Sequence, residues 1–477
     1  MTTKKFYITT AIPYVNGSPH VGHSLEYFQA DTIRRYHQLL GEETLLLSGA
    51  DENALKNVQA AEKEGLPTQE YLDKYSKIWH DIYNDLGVPL DVFQRGSDQE
   101  KHWPGVQKLW NLCFDNGDIY KKTYKGYYCV GCESFKTEKE LVDGICPEHQ
   151  KKPELVDEEN YFFKLSKYQQ KLIDLIESGE LRITPENKKS EMLSFIKSGL
   201  EDFSISRSVK RARGVGVPVP NDPNQVIYVW FDALNIYMTG IGYGWDEALW
   251  KKWWPADVHV IGKDINRFHT VYWPAMLLSA GIALPKCVFV HSFVIVGGLK
   301  ISKSIGNGIH PKDLADEFGL EAVRYFMLSQ IPTSEDGDFT NERFKEIYNA
   351  NLANGLGNLV SRIAKLCENS GQEFPTVKEK KDFVDPAIVK HLEEFRFDKA
   401  LEYIWEIIGK TDAFIEQTKP WSQKGDELTQ TLKVLLDSIN LISLNLRPFL
   451  PSTAEKILNQ FEGPNIKAGE PLFPRLK

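Results

Sequence analysis

Positive charge is in deficit in this 477-residue chain. Lys and Arg number 57 against 66 Asp and Glu, for a formal net charge of −9. The bulk composition therefore does not advertise a nucleic-acid binder, although cations gathered on one face of a large protein remain compatible with one. Cysteine is sparse. Six in the whole chain exclude a disulfide-dense scaffold and point to a reducing cytoplasm. No apolar run reaches the length of a membrane span, and Met1-Thr2-Thr3-Lys4-Lys5 leads straight into a strand-like stretch with no secretory leader. Repeats and low-complexity segments are missing too, which excludes solenoids. What is present is 42% hydrophobic content, ample for several cores, at a length that suggests about three domains.

The most informative stretch follows the first apolar run. Phe6–Thr10 is β-rich, and Pro13, Asn16, Gly17 and Pro19 force a turn. A helix begins near Gly22–Ser24, with Leu25, Phe28, Tyr36 and Leu39 at helical spacing and Gly41 as a stop. Thr44–Gly49 is strand-like again, so the region reads as a βαβ unit. Its strand-to-helix turn carries His20, Gly22 and His23. Unpaired N–H groups and the positive end of the helix dipole favour a phosphate there. Gly22 admits close backbone approach, and the histidines supply donors for charge developing on the phosphate. A histidine pair that merely caps the turn reads equally well from this motif alone.

A second polar segment lies roughly 280 residues on: Gly297-Gly298-Leu299-Lys300-Ile301-Ser302-Lys303-Ser304-Ile305-Gly306-Asn307. Lys300 and Lys303 supply point charges suited to a polyphosphate. HxGH after the first strand and KxSKS after the last strand of a split nucleotide-binding domain, in that order, resemble the two signatures of class I aminoacyl-tRNA synthetases.

Between the two signatures, Asp51 closes a strand at the edge where open α/β sheets bind ligands, a candidate partner for an ammonium group or an N-cap for the next helix. Helices are expected over Gln69–Leu86 and His102–Asn116. From Asp118 the texture turns β-like, with Tyr120, Tyr124, Tyr127 and Tyr128. Cys129, Cys132, Cys146 and His149 then follow as CxxC, thirteen residues, CxxH. That donor set fits one tetrahedral Zn²⁺ with no open position, hence a structural metal. Arg207 and the cluster Lys210, Arg211 and Arg213 precede Gly214–Pro220; a solvated turn and an RNA or ATP phosphate contact are both open readings.

The sheet resumes with strands expected at Val226–Phe231, Val258–Asp264 and Val288–Val294, the last delivering the lysine segment. A helix over Ile265–Ala280 puts Ile265, His269 and Trp273 on one face. Periodicity alone makes that face core. After Phe339 the pattern is helical: Asn341–Glu368 as one long helix or a broken pair, then Phe397–Gln417, Leu428–Leu446 and Ser452–Phe461, an all-α bundle. Trp421, after Pro420, is placed to stack on a base or to close the bundle core.

Ala11-Ile12-Pro13-Tyr14 before the histidines, Tyr228-Val229-Trp230-Phe231-Asp232-Ala233-Leu234, the run Gly262–Pro274 and Lys419-Pro420-Trp421, with the zinc-type insertion and the helical C-terminus, together resemble methionyl-tRNA synthetases of the single-zinc-knuckle bacterial type over essentially the whole chain. The resemblance implies an α/β fold: a Rossmann-like parallel-sheet catalytic domain split by a zinc-bearing insertion and followed by an all-α helical bundle. The expected segments are 1–117 and 226–294 for the catalytic domain, 118–225 for the insertion, 295–340 for a stem-contact region with the lysine loop, and 341–477 for the anticodon-binding bundle.

It also implies roles. Ala11, Ile12, Tyr14, Trp230, Ala233, Leu234, Tyr237, Ile265, His269 and Trp273 would hold the methionine side chain, and Asp51 its ammonium. His20, Gly22, His23, Gly262, Asp264 and Lys303 would bind ATP, supplied with Mg²⁺, while His20, His23, Lys300 and Lys303 carry catalysis. Asn351 and Trp421 would read the CAU anticodon of tRNA(Met), initiator tRNA included. Two departures from the pattern stand out: Asn53 follows Asp51-Glu52 where many relatives have His, and Gly355 stands four residues after Asn351 where some have Arg. With the chain closing at Lys477, directly after the bundle, a cytoplasmic monomer without a membrane partner is expected.

Overall fold

Six parallel strands build the central sheet: β1 (Lys5–Thr10), β2 (Glu43–Ala50), β3 (Val92–Arg95), β4 (Arg182–Thr184), β5 (Val258–Gly262) and β6 (Cys287–His291), in the order β3-β2-β1-β5-β6-β4. The computed structural model describes residues 4–129, 134–136, 138–147, 150–301, 308–375 and 384–477. A parallel sheet is covered on both faces, so its strands are apolar throughout rather than alternating. Every residue of β5 and β6 is accordingly buried. The chain leaves β1 toward β2 and β3 on one side and returns to β5 and β6 on the other. That reversal opens a crevice at the carboxyl ends of β1 and β5, the place where such sheets bind ligands.

Helix α1 (Val21–Leu39) covers one face, and its core residues Leu25 and Phe28 belong to an apolar cluster that continues through Val360, Ile404 and Leu435 of the C-terminal bundle. Catalytic and helical parts thus share one core. Polar contacts reinforce the join: Asp31 of α1 is ion-paired with Arg34, Arg35 and Arg324, and the Arg324 guanidinium donates to the carbonyls of Pro448 and Phe449. The opposite face packs against Leu109, Phe231 and Met276.

The inserted β-rich part is an antiparallel sheet of Ser134–Lys136, Ile119–Cys129, Glu154–Phe163 and Phe203–Ser204. Segment 118–225 is not wholly separate, however, because β4 lies inside it and pairs with β6 at the edge of the central sheet. Three residues are too short for a periodic signal. Two further expectations change. Only Asp222–Ile227 is a strand, in a small sheet of its own, while Val229–Ala233 is helical with Asp232 N–H bonded to the Tyr228 carbonyl at 3.0 Å. A buried apolar run carries no period that separates strand from helix. Likewise Val288–Val294 is not one strand. It breaks after His291, and Val294–Val296 forms a second small sheet with Leu299–Lys300 and Gly337–Phe339.

Two helices carry π-turns. Phe268–Tyr272 is π-helical between a 3₁₀ turn and the α-helix Trp273–Ser279. Asn341–Ser370 is continuous, with Tyr348–Gly357 in π form and α2 (Asn358–Ser370) beyond. The bundle is completed by Pro386–Glu393, which the sequence pattern did not single out, α3 (Phe397–Thr418), Gly425–Leu446 and Pro451–Gln460.

Candidate active site

His20 is the N-cap of α1, extended at φ −126°, ψ 169°. Its Nδ1 accepts the N–H of Gly22 at 3.1 Å, and Nδ1 of His23 accepts the N–H of His20 at 3.1 Å. This is a reciprocal cap made of two imidazoles. An accepting Nδ1 leaves the proton of a neutral ring on Nε2. The His20 ring therefore carries an Nε2–H donor at the positive end of the helix, while His23 Nδ1 also faces the His20 carbonyl at 3.2 Å. Trp79 meets His23 edge-on at 4.7 Å and bonds the Gly17 carbonyl at 2.9 Å, fixing the turn. A Cβ on residue 22 would strike the His20 ring, so Gly22 makes room for the cap before it makes room for a ligand. The cap is present, and it does not exclude an anion at the same helix start.

The lysine segment meets this turn. A Cβ on Gly22 would lie 3.7 Å from Cδ1 of Ile301, and Val21 N–H donates to the Ile309 carbonyl at 2.8 Å. The two signatures thus converge across the fold. Lys300 ends the short strand Leu299–Lys300, and Lys303 lies outside the described residues. Gly262 closes β5, and Asp264 follows it in the 3₁₀ turn Lys263–Ile265. Asp264 is exposed, with Oδ1 3.1 Å from where a Gly262 Cβ would be.

The residues expected around methionine also come together. Tyr14 and Asp51 form an isolated parallel bridge, with Asp51 N–H donating to the Pro13 carbonyl at 2.9 Å, and Asp51 is 3% exposed. Trp230 meets Tyr14 edge-on at 6.1 Å and stacks on Phe268 at 3.8 Å. Tyr237 OH and His269 Nε2 lie 2.8 Å apart, while His269 Nδ1 faces the Ile265 carbonyl at 3.0 Å. The carbonyl fixes the tautomer: Nδ1–H donates, and Nε2 accepts from the tyrosine. Burial pushes the His269 imidazole down to about 4 and the Tyr237 phenol well above its ordinary value, so both are neutral. Ala233, Leu234 and Trp273 are buried alongside, and Ile12 and Ile265 are partly buried against the same core. Ala11 donates its N–H to Glu26 Oε1 at 2.8 Å and accepts from Ser48 Oγ at 3.3 Å. A neutral aromatic cluster of this kind suits a polarizable thioether.

Sequence reasoning missed the buried frame behind these residues. Asp232 accepts from Asn53 Nδ2 at 2.7 Å and pairs with His102 Nε2 at 2.6 Å, and the other His102 nitrogen meets Thr239 Oγ1 at 2.7 Å. Asn53 thereby anchors the Asp51 strand end to the helix Val229–Ala233. Glu52 accepts from Ser76, Arg95 and Ser97. Lys56 lies 3.1 Å above the centre of the Tyr14 ring. No local signal marks these partners, since they lie 24 to 179 residues apart.

In the insertion, Cys129 closes the strand Ile119–Cys129 opposite Ser134, and Cys146 N–H pairs with the Lys151 carbonyl beside a tight turn at Asp143-Gly144, both in left-handed conformation. The two thiols are 3% and 0% exposed; Cys132 and His149 lie outside the described residues. Two buried cysteines on neighbouring hairpins, neither in a disulfide, fit a zinc knuckle. Arg207 is 6% exposed and clasped between the rings of Tyr128 and Tyr228. It lines a cavity of about 640 Å³ that reaches Arg267, Phe268 and Tyr272.

At the far end of the bundle, the structure does not bring Asn351 and Trp421 together. Asn351 donates to Tyr325 OH at 3.0 Å and its carbonyl accepts from Trp405 Nε1 at 3.2 Å. Helix α2 runs parallel to α3, with Arg362 paired to Asp412 and Glu416. Trp405 is sixteen residues before Trp421, roughly 24 Å of helix. Trp421 itself is 59% exposed. Along α2, Asn358 is exposed, and Arg362 follows four residues later.

A doubly wound sheet whose crevice joins a capped histidine turn to a lysine segment is the catalytic domain of a class I aminoacyl-tRNA synthetase. The family model of tRNA synthetases class I (M) matches residues 6–152 and 148–364, and that of the anticodon-binding domain of tRNA ligase matches 386–475. The chain is 41% identical to the methionine–tRNA ligase of Clostridium acetobutylicum, over 99% of this chain and 78% of the relative. It is 38% identical to that of Brucella suis, over 100% and 98%. The methionyl-tRNA synthetase of Mycobacterium tuberculosis in complex with methionyl-adenylate superposes with a TM-score of 0.90 at 35% identity, covering 99% of this chain and all of that one. Its apo form gives 0.85 at 33% identity, covering 100% and 99%. The chain belongs to the methionine–tRNA ligase family.

Proposed function

We propose that this chain ligates L-methionine to tRNA(Met) with ATP through methionyl-adenylate, releasing AMP and pyrophosphate. The observation that carries the reading is the convergence of the histidine turn and the lysine segment at Gly22 and Ile301, beside a neutral aromatic pocket closed by Asp51. The methionine ammonium sits at Asp51, and its carboxylate attacks the α-phosphorus of ATP, which arrives as the Mg²⁺ complex. A P–O bond to the carboxylate forms as the bond to pyrophosphate breaks. The nucleophile is already an anion, so no general base is needed; catalysis is positioning and charge stabilisation. His20 and His23 donate to the phosphates, Asp264 holds the ribose, and Lys300 and Lys303 follow the departing pyrophosphate. The 2′-OH of the terminal tRNA ribose then takes the methionyl group.

The remaining parts follow the same reading. One structural Zn²⁺ on Cys129, Cys132, Cys146 and His149 would tie the two hairpins together without entering the chemistry. For the anticodon, the pairing of α2 with α3 favours Asn358, Arg362 and Trp421 over Asn351, since Asn358 and Arg362 supply the Asn and Arg four residues apart that Asn351 and Gly355 lack. The protein acts as a cytoplasmic monomer; among the described residues no helix is long and apolar enough to cross a membrane.

ATP–pyrophosphate exchange with single amino acids and no tRNA tests the proposal. Exchange with methionine alone is expected. Exchange with leucine, isoleucine or valine would overturn the pocket, and exchange with none of the twenty would overturn the activity.

A further inference from the structure

We propose that His291 is a positioning residue for amino-acid activation, acting as an imidazolium that fixes Glu26, and through Glu26 the Ala11 amide, beneath the adenylate site. The inference rests on the adenylate-forming reading above. His291 is the last residue of β6, in register with Gly262 at the end of β5, and is 5% exposed. Its Nε2 lies 3.0 Å from Glu26 Oε2 and its Nδ1 2.7 Å from the Ser292 carbonyl. Both facing oxygens are acceptors. A neutral ring has one N–H and would set a lone pair against one of them; only the doubly protonated ring satisfies both.

Glu26, 7% exposed, uses its other oxygen to accept the Ala11 N–H. One carboxylate therefore spans the carboxyl ends of β1 and β6, with β5 between them. It projects from α1 three residues after His23, on the same face of the helix. His291 Cε1 is also 3.8 Å from where a Gly262 Cβ would lie, directly beneath the expected ribose contact. The groups facing the pair are Asp264, beyond β5, and the phenols of Tyr27, Tyr83 and Tyr237. Burial holds all three phenols neutral. Burial also opposes charge on His291, but the Glu26 carboxylate, the Ser292 carbonyl and the Asp264 charge outweigh it and raise its pKa above the ordinary histidine value.

The test is the pH profile of methionine-dependent pyrophosphate exchange in the parent and in His291→Gln, which keeps a neutral donor toward Glu26. The parent loses kcat/KM on the alkaline side as His291 deprotonates. The variant is about tenfold slower at neutral pH and lacks that limb; titration of the substrate ammonium occurs in both and cancels. An unchanged alkaline limb in the variant would overturn the proposal. Imidazole ¹⁵N shifts of the parent decide independently of how the variant folds: a doubly protonated His291 at pH 7 supports the proposal, and a neutral ring sinks it. Absence of exchange in the parent would count against the adenylate reading, leaving the NMR outcome to judge His291.

Discussion

The ring of His20 occupies the space that a Cβ on residue 22 would need: that atom would lie 2.9 Å from Cε1 and 3.0 Å from Nδ1 of the imidazole. Glycine at 22 is a condition for the orientation of His20. Gly22→Ala is expected to swing the ring off its cap and lower methionine-dependent exchange by about 10²-fold, the scale of a misplacement near 1 Å. Stability should hardly change, because alanine recovers about 1 kcal/mol of helix propensity. Exchange kinetics with a thermal melt check both halves; a variant of parental activity would remove His20 from the phosphate site.

Acid should destabilise the fold through His269. Its folded-state pKa of about 4 lies below the 6.5 of an exposed histidine, with burial the main cause. Between these values the unfolded chain binds a proton that the folded one refuses, so stability falls as pH drops. The contribution is complete above pH 6.5, is lost progressively toward pH 4, and is worth on the order of 3 kcal/mol. Urea melts from pH 7 to 4 should show His269→Gln losing less stability over that window than the parent.

The anticodon end gives opposite expectations for two residues. Trp421→Ala should weaken aminoacylation about 10- to 100-fold through KM for tRNA, the 1–3 kcal/mol of a stacked base, with exchange untouched. Arg362→Gln should act the same way. Asn351→Ala, by contrast, should cost about 1 kcal/mol of stability from its lost bond to Tyr325 and leave KM for tRNA near parental. Charging assays beside melts separate the two.

Asp31 is the buried hub joining α1 to the bundle. Burial works to raise its pKa, but Arg324, Arg35 and Arg34 hold it below the ordinary carboxylate value. Asp31→Asn removes the counter-charge of a fully buried guanidinium and should cost about 3–5 kcal/mol. The depressed pKa sets the sign: the stabilisation is present above the unfolded value near 3.8 and disappears as pH falls through the folded one. Parent and variant melts should therefore converge at strongly acid pH.

Much of this was legible in the chain. Turn chemistry around Pro13, Gly17 and Pro19 and the stripe of α1 marked the βαβ unit, whereas the pocket roles of Trp230 and His269 came only from the family resemblance, since periodicity alone made the His269 face core. Three kinds of information were not. The Asp232–His102 and Glu26–His291 pairs join residues 130 and 265 positions apart, and no period encodes such a distance. β4 is three residues long and silent to any pattern. The Asn-rich stretch around Asn351 carries no local signal that separates it from Asn358; that distinction depends on the parallel packing of α2 on α3, a tertiary fact.

The π-turn at Phe268–Tyr272 has a consequence for how amino-acid choice is stored. A π-turn holds one residue more than an α-turn, and deleting it would rotate every later side chain by roughly 100°. His269 would keep its place while Trp273 turned away, with neither residue altered in identity. Under the pocket proposed above, selectivity is written partly in the phase of a helix, so a single-residue deletion there is expected to rewrite it where many point substitutions would only blur it.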